Sequence, residues 1–305
     1  MALCRILIPL EGEDLWCMRI PMTDMLIFGL GYTASRLAAA LRAQGWRITA
    51  TRQTAIDGAL AFADSEAVRA AIGTASHILS SVPPGEDGAD PVLAAYGADI
   101  AAAPARWTGY LSATGVYGDT GGAWVDESAS IGHGRRSARA EADLAWQMLR
   151  DDVRVFRLPG IYGPGRSAID RLIDGRARRI DLPGQVFSRV HVDDIVAGVI
   201  AGFDGPPGPY NLADDHPCSQ NEVIAAASAL TGLPLPPLLS LEEAKLSPMA
   251  RAFYGENRRI ANGKAKRLLG WNPACPTYRE GLARIAMTMP RIESSAPSAA
   301  SGDQR

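Results

Sequence analysis

Met25–Phe28 is an unbroken apolar run of strand length that stops at Gly29. Just beyond it, Ala34, Leu37, Ala38 and Leu41 recur at the spacing of a helix that buries one stripe. Gly45 stands where a helix ends, and Trp46, Ile48 and Ala50 then alternate as a strand does. The rhythm continues, with strands expected at Ala59–Phe62, Ser76–Val82, Trp107–Ser112 and Val153–Leu158. Between them the pattern predicts a helix capped by Asp64 and closed by Gly73, one from Asp90-Pro91 to about Ala103, and one over Arg135–Leu149. Strand and helix in alternation imply an α/β fold with a parallel, doubly wound sheet. After Arg166 the rhythm changes: a helix is expected over Asp194–Phe203 and a short strand at Tyr210–Leu212. Ser219 with Glu222, and Ser240 with Glu243, read as capping boxes that open two more helices. This part reads as a smaller C-terminal lobe over the carboxyl edge of the sheet. The expected organisation is an extension over 1–23, a core over 24–165, further core elements and a substrate lobe over 166–289, and a polar, disordered tail over 290–305.

The first turn carries candidate chemistry. Gly29-Leu30-Gly31-Tyr32-Thr33-Ala34 is GxGxxA between a strand and a helix, the pattern of a Rossmann-like dinucleotide site. Gly29 permits the tight turn, Gly31 lets backbone approach a pyrophosphate, and Ala34 lets helix and strand pack closely. The helix N-terminus, at Tyr32 and Thr33, offers free N–H groups to the anion. An NAD site usually places an acid about 20 residues beyond the glycines, on the ribose hydroxyl. Here Thr51-Arg52 occupies that place and no acid comes before Asp57, so NADP(H) is expected over NAD(H), with Arg52 on the 2′-phosphate. Ligands in such sheets lie beyond the carboxyl ends of strands, which points Ser80, Ser81 and Val82, and Pro159 with Ile161, at the cofactor.

Composition narrows the class. Of 305 residues 47% are apolar, enough for a sizeable core, and the net charge of −2 gives no footprint for nucleic acid. The four cysteines show no metal spacing and read as free thiols of a reducing compartment. No apolar run reaches the roughly 18 residues a membrane helix needs, and no secretory signal is evident, so the expectation is a cytoplasmic protein without a membrane partner.

Six motifs occur in order: GLGYTA, SATGVYG (Ser112–Gly118), FRLPGIYGPGR (Phe156–Arg166), VHVDDI (Val190–Ile195), YNLADD (Tyr210–Asp215) and LLGWNP (Leu268–Pro273). Together they resemble the extended short-chain dehydrogenase/reductase family, also called NAD-dependent epimerase/dehydratases. The resemblance implies a nicotinamide cofactor and a small-molecule substrate, with a homodimer through the helices 90–103 and 135–149. It also implies a YxxxK active site, which is missing. Aligned on Glu141, the Tyr position is His133 and the Lys position Ser137; the Ser/Thr position is Ala113, and Asp99 most resembles the Asn. Gly160 stands where many members have the Asn that contacts a nucleotide-sugar diphosphate. The chain thus resembles an atypical subgroup that keeps the cofactor turn.

What remains for catalysis is Thr114 and Tyr117 after the fifth strand, His133 in the Tyr place, and Asp99 as an orienting group. Tyr117 reads more readily as a packed ring whose hydroxyl finds a backbone partner, and Asp99 equally as a helix-surface or capping residue. Arg139 and Arg166 near the cleft edge would hold the substrate, with Arg135, Arg136, Arg258 and Arg259 nearby; such a substrate would be anionic. Two functions fit: an oxidoreductase or epimerase on a small carbonyl or hydroxyl, or a catalytically inactive NADP(H)-binding sensor or scaffold.

Overall fold

The computed structural model describes residues 23–85, 88–132, 137–247, 251 and 254–289. The expected extension and tail, and His133, Arg135 and Arg136, lie outside the described residues. Seven parallel strands form one sheet: β1 (Asp24–Phe28), β2 (Arg47–Arg52), β3 (Leu60–Ala61), β4 (His77–Ser80), β5 (Trp107–Ala113), β6 (Val153–Leu158) and β7 (Gly208–Asn211). Their spatial order is β3-β2-β1-β4-β5-β6-β7, a doubly wound arrangement whose direction of growth reverses between β1 and β4. The register of β1 against β4 sets Phe28 beside Ser80, so both strands end at one level. β4 and β6 are buried along their whole length, and β1 over Met25–Phe28, because both of their faces are covered; in β6 this includes Arg154 and Arg157.

Helix α1 (Tyr32–Ala43) buries Leu37, Ala38 and Leu41 on one face of the sheet, where Trp107, Phe156 and Trp271 complete the core. On the other face, α2 (Ser65–Thr74), α3 (Pro91–Ala101) and α4 (Ser137–Leu149) pack Val68, Ile72, Tyr96, Ile100 and Trp146. Asp90 caps α3 at Val92 N and Leu93 N, and its second oxygen accepts from Trp146 Nε1 (2.8 Å), which ties α3 to α4. Helices α5 (Ala168–Ile173), α7 (Gln220–Thr231) and α9 (Tyr278–Thr288) build a third cluster around Tyr162, Ile169, Val223 and Leu282. Helices α6 (Val192–Ala201) and α8 (Gly263–Leu269) pack on the same face as α1, burying Ile195, Val199 and Ala265 in its core.

Three local expectations change. Gly73 lies inside α2, which ends at Thr74, because Ala75 makes the break. The helix expected from Asp194 starts at Val192, since His191 is its cap: His191 Nδ1 accepts from Asp193 N (3.2 Å). The Ser240–Glu243 box does form its reciprocal bonds, at 2.8 and 3.2 Å. Residues 241–245 nonetheless form turns, and Lys245 takes φ +45°, a left-handed conformation that a continuing helix does not contain. Local capping chemistry fixed the turn and no buried face followed to extend it.

One ion pair sits in the middle of the molecule. Asp143 of α4 is fully buried and accepts from Arg157 Nε (3.1 Å), Arg157 Nη2 (2.8 Å), Ser112 Oγ (2.6 Å) and Gln147 Nε2 (2.7 Å). Arg157 Nη1 donates to the Tyr117 hydroxyl (3.0 Å), which donates to Asn211 Oδ1 (2.8 Å). Burial alone would lower the Arg157 pKa, but its bonds to Asp143 outweigh that and raise it. The network fastens β5, β6, β7 and α4 directly beneath the carboxyl ends of the strands.

Candidate functional site

Gly29 ends β1 with φ +81°, and a Cβ there would lie 2.8 Å from Val82 Cγ2 and 3.2 Å from Ser81 Oγ. Both facts require glycine. The Gly29 N–H donates to Thr51 Oγ1 (3.3 Å), Ser81 Oγ donates to the Gly29 carbonyl, and Ser80 Oγ accepts from Val82 N (3.4 Å). Thr51, Ser80 and Val82 therefore build the turn from behind. Gly31 differs: its φ is −84°, and nothing lies within 4 Å of where its Cβ would be. It caps α1 without a side-chain bond, and the first turn of α1 holds no acid. The turn is closed on one side and open on the other, and the open side is a helix N-terminus with unsatisfied N–H groups.

That open side faces a cavity of about 570 Å³ beyond the carboxyl ends of β1, β4, β5 and β6. Gly31, Tyr32, Thr33 and Ala34 form one wall, with Ser81 and Pro83 next to them. A 3₁₀ turn, Thr114–Tyr117, brings Ala113, Thr114 and Gly115 to the floor, and Pro159, Gly160 and Ile161 follow β6. Arg139 of α4, which donates to the Tyr110 hydroxyl (3.2 Å), and Arg166 reach the edge. The lobe closes the far wall with Val186, Phe187, Ser188, Glu256 and Arg258.

Loop 163–166 is seated on α1. The Tyr32 hydroxyl donates to the Pro164 carbonyl (3.0 Å), and a side chain at Gly163 would come within 2.5 Å of that hydroxyl. The Tyr32 ring lies under two guanidiniums, Arg36 at 5.2 Å and Arg166 at 5.7 Å from its centre. Burial raises the Tyr32 pKa, and the two arginines oppose that rise.

Some expected residues are elsewhere. Asp99 pairs with Arg69 of α2 at 3.1 Å on the outer side of α3, not on the cavity, so it cannot orient a proton donor there. Tyr117 is 3% exposed and its hydroxyl is committed to Asn211 and Arg157, behind the cavity wall. Burial also raises its pKa, so it is a packed ring and not a proton donor to the cavity. Arg259 turns away to donate to the Gly122 carbonyl. Arg52 closes β2 away from the cavity, half-buried, with its Nε lacking a hydrogen-bond partner among the described residues. The wall at 186–188 was not foreseen. It precedes the short strand Arg189–His191, which pairs with Gly160–Tyr162 and so carries Ser188 to the cavity. The VHVDDI motif is structural here: Asp194 accepts from Ala274 N (2.7 Å) and Cys275 N (3.1 Å), and its carbonyl accepts from Trp271 Nε1 (2.9 Å).

Burial pushes the Asp214 carboxyl up to about 7, and its Oδ2 lacks a partner among the described residues. An acid whose folded pKa is raised is protonated in the folded chain and ionised in the unfolded chain at intermediate pH. Its folding free energy therefore becomes less favourable as pH rises from about 4 to about 7. Asp214→Asn should flatten that part of the profile, so that melting temperatures measured at pH 5 and pH 8 differ less than in the wild type. An unchanged difference would assign the pH dependence to other groups.

The fold is that of solved short-chain dehydrogenase/reductase and epimerase structures, a doubly wound Rossmann-like sheet. A functionally unknown conserved protein from Silicibacter pomeroyi DSS is 44% identical, with a TM-score of 0.77 over 87% of this chain and 99% of that one. This chain belongs to the same family as that protein. The human epimerase family protein SDR39U1, solved with NADPH, has a TM-score of 0.70 at 16% identity, over 88% of this chain and 100% of that one. A Streptomyces 3-diazoavenalumate denitrifying reductase is 29% identical over 162 residues, 48% of this chain and 52% of that enzyme. The match thus spans about half of the enzyme's length. No family model matches the chain. No helix among the described residues is long and apolar enough to cross a membrane.

Proposed function

We propose that this protein is an NADP(H)-dependent oxidoreductase, or an epimerase working through the same hydride step, on a small carbonyl or hydroxyl compound. The observation that carries the reading is the open Gly31 end of α1, which faces the same cavity as Thr114 and Pro159. The α1 N–H groups would hold the pyrophosphate, and the bound dinucleotide would supply or take the hydride. Arg52 supports the choice of NADP(H): its Nε has no hydrogen-bond partner among the described residues and no acid stands at the end of β2. The NADPH bound to the human structural neighbour agrees with it.

The chain's own residues then have limited tasks. Thr114 lines the floor and would hydrogen-bond the substrate oxygen, while Ile161 and Pro159, on the same cavity, would flank the nicotinamide end. His133, at the family's Tyr position, is the proton donor in this proposal, a step worth about 10²–10⁴-fold. The division at about residue 165, a homodimer through α3 and α4 and a cytoplasmic location belong to the same proposal.

A second reading, an inactive NADP(H) sensor or scaffold, is favoured by Ala113 in the family's hydroxyl position and by the sequestered Tyr117. The two separate on turnover. The enzyme reading expects NADPH consumption with at least one small aldehyde, ketone or aryl carbonyl, lost in Thr114→Val together with His133→Ala. Binding of NADPH with no consumption across the set would favour the sensor. Arg52→Glu should reverse the preference between NADPH and NADH by about ten- to a hundredfold; an unchanged ratio would remove Arg52 from the site.

A further inference from the structure

We infer that the cavity takes a small apolar carboxylate, held by Arg258 and Arg139, and that Arg166 serves the cofactor's pyrophosphate. The division of charge rests on the dinucleotide reading above; the anion site itself rests on its own geometry. Among the described residues, Arg139, Arg166 and Arg258 line the cavity against one carboxylate, Glu256. These arginines are not equivalent. Arg166 lies over the ring of Tyr32, the first residue of α1 and the neighbour of Gly31. Its charge stands where the pyrophosphate would approach.

Arg258 stands at the other end. Its Nη1 donates to Glu256 Oε2 (2.8 Å) and to the Gly118 carbonyl, which ends the 3₁₀ turn carrying Thr114. Those two acceptors fix the guanidinium with its side chain 17% exposed, and leave Nε and Nη2 without a hydrogen bond among the described residues. A fixed planar fork with free N–H groups suits a carboxylate. Arg139, steadied by the Tyr110 hydroxyl, adds a second charge. With Arg166 assigned to the cofactor, two arginines face one carboxylate among the described residues, which leaves positive charge for an anion. Ile260, Phe187 and Val186 beside Arg258 give the wall an apolar surface for the rest of the molecule.

The test compares benzoate with benzamide, its neutral isostere, by ligand-observed NMR titration with and without NADPH. The wild type should bind benzoate about tenfold more tightly than benzamide. Arg258→Gln should bring the two to parity. Arg139→Gln should reduce the preference severalfold, and keeps the test open if the first variant does not fold. Arg166→Gln should weaken NADPH about tenfold and leave the benzoate preference in place. Equal binding of benzoate and benzamide by the wild type would overturn the inference, as would a preference that survives in the Arg139→Gln, Arg258→Gln double variant. A wild type that prefers benzoate but fails to bind NADPH would uphold the carboxylate site and refute only the cofactor reading.

Discussion

Asp143→Ala should melt roughly 6–20 °C below the wild type. Asp143 is completely buried and is the acceptor for Arg157, Ser112 and Gln147. Removing it leaves the Arg157 guanidinium, itself 3% exposed, without its counter-ion. Losing one partner of a buried pair costs about 3–5 kcal/mol, and a chain of this size loses about 2–4 °C for each kcal/mol. The double variant Asp143→Ala, Arg157→Met should recover much of that loss, because no buried charge is then left unpaired. Thermal unfolding of the three proteins checks this. A single variant within about 2 °C of the wild type would mean that water reaches the network.

Gly31→Asp should abolish cofactor binding while leaving the fold at least as stable. The backbone of Gly31 is extended, φ −84° and ψ −168°, and its missing side chain faces open space. An aspartate fits there without strain. It would also be a better N-cap than glycine, by a few tenths of a kcal/mol, with its charge at the favourable end of the α1 dipole. The same carboxylate would occupy the place of the pyrophosphate and repel it, a loss on the order of a hundredfold or more. Gly29→Ala makes the contrast, since φ +81° and the 2.8 Å approach to Val82 predict lower stability as well. Titration with NADPH and a melting curve separate the effects. Unchanged affinity in Gly31→Asp would move the pyrophosphate elsewhere.

The sheet strands were readable as short apolar or alternating runs set off by turns and helices, β1 as a nearly continuous apolar run and β2 by alternation, and the first turn because its glycines have backbone tasks. What could not be read was rotation. Helix α3 is rich in alanine and carries no sharp apolar stripe, so nothing in the sequence told that Asp99 points to Arg69 and not to the cavity. Tyr117 follows Thr114 by three residues, yet the 3₁₀ turn leaves Thr114 at the cavity and carries Tyr117 into the Arg157 network. The far wall was hidden for another reason. Phe187, Ser188 and Glu256 sit in irregular segments positioned by short strand pairs, Arg189–His191 with Gly160–Tyr162 and Arg259–Ile260 with Trp124–Val125. Two- and three-residue strands leave no periodicity to detect. Arg258 was visible as a charge in the lobe, but part of its fixing comes from Gly118, 140 positions away in the chain.

The cavity at the open end of α1 is expected to hold a nicotinamide dinucleotide. Six tryptophans make energy transfer to bound NADPH a direct readout. A titration of the wild type should show saturable transfer with NADPH at micromolar concentrations and weaker transfer with NADH. No saturable signal from either nucleotide up to millimolar concentration would contradict the account, leaving a dinucleotide fold without its ligand.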